Sequence, residues 1–218
     1  MKKGDFSLKI KVDFKNAFPK RDDLNGEFDL LVNGFNGCEK IKYSKELNGQ
    51  STTLKQLCNL SNKCKKPIVS AFETDNYGTQ KRSAGVFENG KLLGISDATA
   101  VIDNCDFLPS STCKLYDLDV GKIGVAVQDD LYCFNLFKSL AICGSEIIIC
   151  LTNFTKKEIN SILIRAYSFL LGVPIVLTFD GGCLVSNTNG FLLEESQIYE
   201  VLPNFEFTLK TTKTRLFK

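Results

Sequence analysis

The 218-residue chain contains no histidine and no tryptophan, a single methionine and five prolines. Without histidine there is no Ser-His or Cys-His nucleophile pair, no histidine general base and no His-ligated zinc. Charge of one sign is lacking too. The 27 basic side chains stand against 25 acidic ones, a net charge of +2 with a pI near 8.0. No concentrated basic field therefore points to nucleic acid or an anionic membrane as partner. No apolar run is long enough to span a bilayer, and Met1-Lys2-Lys3-Gly4-Asp5 has no apolar stretch behind it of the kind that makes a signal peptide. A cytoplasmic protein is expected, with neither membrane nor nucleic acid as partner.

Cysteine, by contrast, is plentiful. Nine are scattered at positions 38, 58, 64, 105, 113, 133, 143, 150 and 183, with no Cys-x-x-Cys pair. They read as reduced thiols, several of them small core residues, and not as a zinc ribbon or redox motif. No metal and no cofactor is expected. Hydrophobic residues make up 44% of the chain, so one domain over residues 1–218 can bury its core without a staple.

Ser7–Phe14 alternates apolar and polar residues and predicts a strand. Phe14 to Gly26 is polar, carries Pro19 and reads as irregular. Phe28–Val32 suits a buried strand, Thr52–Lys65 a helix capped by Ser51 or Thr52, and Pro67–Phe72 another strand. Asn89-Gly90 between Ala84–Glu88 and Lys91–Ile95 is a strong hairpin signal. Further on, Lys122–Val127 predicts a strand running into a helix over Leu131–Ile142, with Glu146–Leu151 a strand after it. Thr155 and Glu158 form a capping-box pattern. The helix they open is expected to bury Ile159, Ile162, Leu163, Ala166 and Leu170. Val173–Phe179 then reads as a strand, and Asn189-Gly190 as the turn of a second hairpin. Alternating strands and helices favour an α/β fold.

The stretch Gly121-Lys122-Ile123-Gly124-Val125-Ala126-Val127-Gln128-Asp129-Asp130-Leu131 is similar to the signature of the nitrilase, or carbon–nitrogen hydrolase, superfamily. In that family a strand reading G-K-I-G-V-x-I ends in the nucleophilic cysteine. The resemblance runs on through Gly144-Ser145-Glu146-Ile147-Ile148-Ile149 and resumes at Gly181-Gly182-Cys183-Leu184-Val185 and Asn189-Gly190. Upstream, Asp29-Leu30-Leu31-Val32 and Asn89-Gly90-Lys91-Leu92-Leu93-Gly94 resemble a family strand and the hairpin leading to the family lysine. The match is strongest over residues 121–190. It implies an α-β-β-α sandwich, here shortened at the N-terminus, and pairing into a homodimer through Leu131–Ile142 and Thr155–Leu171.

The family's Glu-Lys-Cys triad is not carried over with the resemblance. In that triad a glutamate base activates the thiol and a lysine stabilises the tetrahedral intermediate. Gln128 occupies the cysteine position and Asp97 the lysine position. The glutamate position falls on Phe35, with Glu39 the nearest carboxylate if the register slips. Asn135 replaces a second family glutamate. The loop between Val176 and Gly181, which in the family helps wall the pocket, is cut down. A degenerate member that binds a ligand or a protein is the reading this supports, with no catalytic residues. Asp97, Gln128 and Asp129 would form a vestigial pocket favouring a small neutral or cationic ligand. The alternatives are an amidohydrolase rearranged around Cys133, or a regulatory partner of an active homologue. Asp130 is expected to cap the helix after Gln128.

Overall fold

Strict alternation of buried Leu8, Ile10 and Val12 with half-exposed neighbours makes Leu8–Asp13 the strand β1. A computed structural model describes residues 7–13, 24, 26–35, 40–102 and 106–202; Phe14, Glu39, Cys38, Cys105 and most of the irregular stretch after β1 lie outside them. The remaining strands of the first sheet are β2 (Leu30–Asn33), β3 (Ile41–Lys42), β4 (Ile68–Asn76), β5 (Thr79–Glu88) and β6 (Lys91–Asp97). The second sheet holds β7 (Leu115–Leu118), β8 (Gly121–Val127), β9 (Ile147–Leu151), β10 (Ile175–Phe179) and β11 (Gly182–Ser186). The last strand, β12 (Ile198–Val201), returns to the first sheet and pairs antiparallel with β1.

The first sheet is ordered β12-β1-β2-β4-β5-β6, with β3 added alongside β4, and the second β11-β10-β9-β8-β7. In each sheet the central neighbours are parallel (β1, β2 and β4; β8, β9 and β10) and the outer pairs antiparallel, except that β3 joins β4 parallel. The inward faces meet in one core, with Leu8, Val32, Val69 and Val86 against Val125, Val127, Ile149 and Val176. Helix α2 (Thr53–Cys64) covers the outer face of the first sheet, placing Leu57 on Leu31, Ile68, Phe72 and Phe87. Helices α3 (Phe134–Ile142) and α4 (Lys157–Leu171) cover the second, with Phe137, Leu140, Ile164 and Leu171 on Ala126, Ile148 and Leu177. A five-residue helix α1 (Tyr43–Leu47) follows β3. The layers run helix, sheet, sheet, helix, as expected from sequence.

Four details differ from the sequence reading. First, α3 begins at Phe134 and not Leu131, because Gln128–Tyr132 forms a 3-10 turn. Second, α4 begins at Lys157 and takes no side-chain cap, so the Thr155–Glu158 box is not formed. Its buried stripe is Asn160, Ile164, Tyr167, Ser168 and Leu171. Ile159, Ile162, Ala166 and Leu170 instead face outward. Third, Asn189-Gly190 belongs to a loop, closed by the Asn187 carbonyl accepting the Gly190 N–H, that connects only an isolated bridge. Fourth, β4 and β5 are far longer than predicted. They are joined at Tyr77-Gly78, whose φ of +51° and +91° repeat the twist-matched turn seen at Asn89-Gly90. No helix among the described residues is long and apolar enough to cross a membrane.

Gly85 shows how tightly the outer face of the first sheet is filled. A Cβ there would lie 2.7 Å from the Phe87 ring and 2.9 Å from Phe72, both fully enclosed. Gly85→Ala is expected to destabilise the protein by about 1–3 kcal/mol through overpacking, read as a lowered urea midpoint at unchanged slope.

Candidate functional site

The strand β8 delivers Gln128 to the end of the seam between the sheets. There the backbone turns sharply, and Gln128 takes φ +56°. A non-glycine residue held left-handed costs roughly 1–2 kcal/mol and persists only where its surroundings enforce it. A strained strand-to-helix turn is also the device by which nucleophile elbows present a side chain. Here the presented group is a carboxamide, and it is wholly buried. Its Oε1 accepts a long 3.5 Å hydrogen bond from the Asn153 N–H, and its Nε2 has no partner. An amide so placed cannot attack an electrophilic carbon.

The strain is enforced by Asp130. One of its oxygens, Oδ2, accepts the Val127 N–H at 2.9 Å and closes the 3-10 turn. The other, Oδ1, accepts the Thr99 N–H (2.8 Å), the Thr99 hydroxyl (2.7 Å) and the Ala100 N–H (2.9 Å). Asp130 therefore does not cap α3, as expected from sequence, but ties the end of β8 to the segment leaving β6. Asp129 adds a weaker tie, its Oδ2 accepting the Ile102 N–H at 3.3 Å. Burial pushes the Asp130 carboxyl above its ordinary value, and its four donors pull it back down in part.

Asp97 does not join this group. Ser96 bonds the Tyr116 hydroxyl across the seam at 2.9 Å, so by strand alternation Asp97 points to the opposite face of the sheet. There it pairs with Lys81 at 2.9 Å and accepts the Ser83 hydroxyl at 2.8 Å. Burial pushes the Tyr43 phenol of α1 up, and the negative charge of Asp97 adds to it. The expected cluster of Asp97, Gln128 and Asp129 is thus divided between two faces. The side chain of this strand end that enters the seam is Ala98, which is buried in the inter-sheet core. Phe35 is half-buried against the same core; Glu39 lies outside the described residues. Gln128, Ala98 and Phe35 offer no nucleophile, no cation and no base.

Cys133 sits at the start of α3, half-buried among the side chains between α3, α4 and the second sheet. Asn135 is exposed on α3. The seven cysteines among the described residues are free thiols. The β10–β11 connection is reduced to the two-residue turn Asp180-Gly181. Sequence reasoning missed Lys81, which neutralises Asp97, and Thr99 and Ala100, which receive Asp130. Only the alternation of small Ser96 and Ala98 around Asp97 carried a signal of which residue faces inward.

No family model matches the sequence, and no curated protein matches it. Solved structures do resemble it. The chain is 15% identical to a carbon–nitrogen hydrolase from Helicobacter pylori G27, covering 97% of this chain and 94% of that one with a TM-score of 0.73. Against Saccharomyces cerevisiae Nit3, a member of branch 10 of the nitrilase superfamily, identity is 17%, coverage 100% and 98%, and TM-score 0.77. A third likeness is to a variant of the amidase from Nesterenkonia sp. AN1 carrying the acetamide moiety of fluoroacetamide on its active-site cysteine. There identity is 13%, coverage 97% of both chains, and TM-score 0.72. The fold is that of the carbon–nitrogen hydrolases.

Asp130→Ala is expected to destabilise the protein by about 3 kcal/mol, since it leaves buried donors unpaired. The effect has a definite pH dependence. The raised carboxyl keeps its proton in the folded state at pH values where the unfolded chain has lost it, so the wild type loses stability as pH rises from near 3.8. The gap between wild type and variant in urea denaturation should therefore be widest at low pH and narrow through that window.

Proposed function

We propose that this chain is a carbon–nitrogen hydrolase-fold protein that has given up hydrolysis and acts by binding, as a homodimer. Gln128 at the strained turn carries the reading. The backbone geometry that would aim a nucleophile is kept, while the aimed group is an inert, buried amide. A catalytic unit that loses its members loses most of its covalent-route acceleration. Purified protein should show no turnover of nitriles, amides or carbamoyl compounds, and Gln128→Cys alone should not create any, because Ala98 and Phe35 supply neither cation nor base. Turnover abolished by Cys133→Ser would establish the rearranged amidohydrolase instead.

The dimer reading rests on the outward face of α4. Ile162 is 65% exposed, Ile159 42% and Leu170 48%, and Phe191, which follows the Gly190 packed on α4, is 65% exposed. Arg165 donates to the Gly190 carbonyl at 3.0 Å, and an open groove runs between Ile162, Ala166 and Asn189. A contiguous apolar patch on an otherwise well-packed helix marks an association surface. Light scattering at micromolar concentration should give twice the 24.3 kDa chain mass, and Ile162→Asp combined with Phe191→Asp should return a folded monomer. A monomeric wild type overturns the dimer, and a stoichiometric second protein co-purifying from the native host would make it a regulatory partner.

A further inference from the structure

The charge expected at this end of the molecule is reversed by a residue that sequence reasoning passed over. Arg82 lies on β5 in phase with Ala84 and Val86, which are both in the inter-sheet core, so its side chain leaves the sheet on the seam side. Its carbonyl accepts the Ala98 N–H at 2.8 Å, which puts Arg82 directly beside the inward-facing end of β6. The guanidinium stacks on Phe107, with Cζ 4.5 Å from the ring centroid, and Lys40 Nζ lies 5.9 Å from the same ring. Phe107 is fixed in turn by its backbone bridge to Gln80 and by the Leu108 N–H donating to the Gln80 carbonyl at 2.9 Å.

The carboxylates nearest Arg82 in the sheet are otherwise engaged, and exposed Asp106, which precedes Phe107, makes no ion pair with it. Glu73 stands opposite it in the β4–β5 register, yet its ion pair is with Lys40, at 3.9 Å. Lys40 also donates to Gln80 Oε1 at 2.6 Å. Asp97 is held by Lys81 on the other face of the sheet, and Asp75 accepts the Gly78 N–H in its turn. Arg82 has no ion pair among the described residues, and its Nε is buried with no hydrogen-bond partner. A buried, unsatisfied donor on a cation costs free energy, and an oxyanion is a group that can satisfy it. Two cations against one carboxylate leave the cluster one positive charge in excess.

We infer that Arg82, Lys40 and Phe107 form a binding site for a small oxyanion, a carboxylate or phosphate, at the mouth of the filled seam. The inference deepens the reading of this protein as a binding module and rests on it. It replaces the expected preference for cationic ligands, which depended on Asp97 facing the pocket. The guanidinium offers the anion its forked donors beside the Phe107 ring, and Lys40 contributes a second charge close to the same ring.

Isothermal titration calorimetry at matched ionic strength, with succinate, inorganic phosphate and sodium chloride as probes, tests it. Saturable binding of succinate or phosphate, with a dissociation constant of about 1 mM or tighter, is expected, and which of the two binds identifies the ligand class. Arg82→Gln should weaken binding by about tenfold or more, and Arg82→Lys, which keeps the charge but not the fork, by less. Lys40→Gln should weaken it too, while Lys122→Gln on the second sheet should leave it unchanged. Near-UV circular dichroism verifies the fold of each variant, and should Arg82→Gln not fold, Arg82→Lys and Lys40→Gln carry the comparison. No saturable binding by the wild type, or binding undiminished in the folded Arg82 and Lys40 variants, overturns the site. Amide turnover by the wild type would refute the silent-enzyme reading and leave the anion site standing. Absent binding with absent turnover does the reverse.

Discussion

One carboxylate holds this end of the sandwich together. Asp130 is almost entirely buried, yet it takes four hydrogen bonds, one from the end of β8 and three from the segment that leaves β6. Two sheets whose facing side chains are mostly apolar, with single polar contacts such as Ser96 to Tyr116, are joined here by a charged link with a fixed direction. The left-handed turn at Gln128 depends on that link, because without it the turn could relax toward ordinary backbone angles. Desolvation opposes the charge of Asp130 and the four donors oppose desolvation, so the arrangement holds only while all of them are in place.

Around that link the polar groups are sorted by face. The seam receives an amide, a methyl group and a phenyl ring, while charged residues stand at its margins. Lys81 and Asp97 neutralise each other on the outer face of the first sheet, and Arg82 and Lys40 gather around Phe107 on its seam side. The electrostatic character of the site is therefore set by which face of β5 and β6 each charge occupies. A shift of one residue in strand phase would exchange the two sets.

Much of the architecture was legible in the sequence because strand periodicity and turn chemistry are local. β1, β2, β8 and β9 emerge from alternation or continuous apolar runs, and the Asn89-Gly90 turn from its residue types. The α4 stripe was misread because the helix is apolar on two sides. Periodicity alone cannot say which side meets the sheet when Ile162 and Ile164 are equally hydrophobic. The site was legible only at Gln128, where an ungapped run fixes the position. Asp97 was placed on the wrong face because its direction is set by alternation from Ser96, whose own orientation depends on Tyr116 in the other sheet. Lys40 and Arg82 gave no local pattern, since Phe107, which unites them, lies 25 residues beyond Arg82 in the chain.

The pairing of β1 with β12 has a consequence for how the chain reaches this state. Leu8 lies opposite Val201, so β1 gains its outer neighbour only when all the chain between the two strands has been made. Until then β1 is an open edge with its backbone donors and acceptors available to any passing strand. Closing so long a loop is slow and entropically costly, and its reward comes late. The interval between translation of β1 and arrival of β12 is therefore when this protein is most exposed to intermolecular mispairing. Slow translation of the last strands, or their removal, would lengthen that interval without touching any residue of the seam.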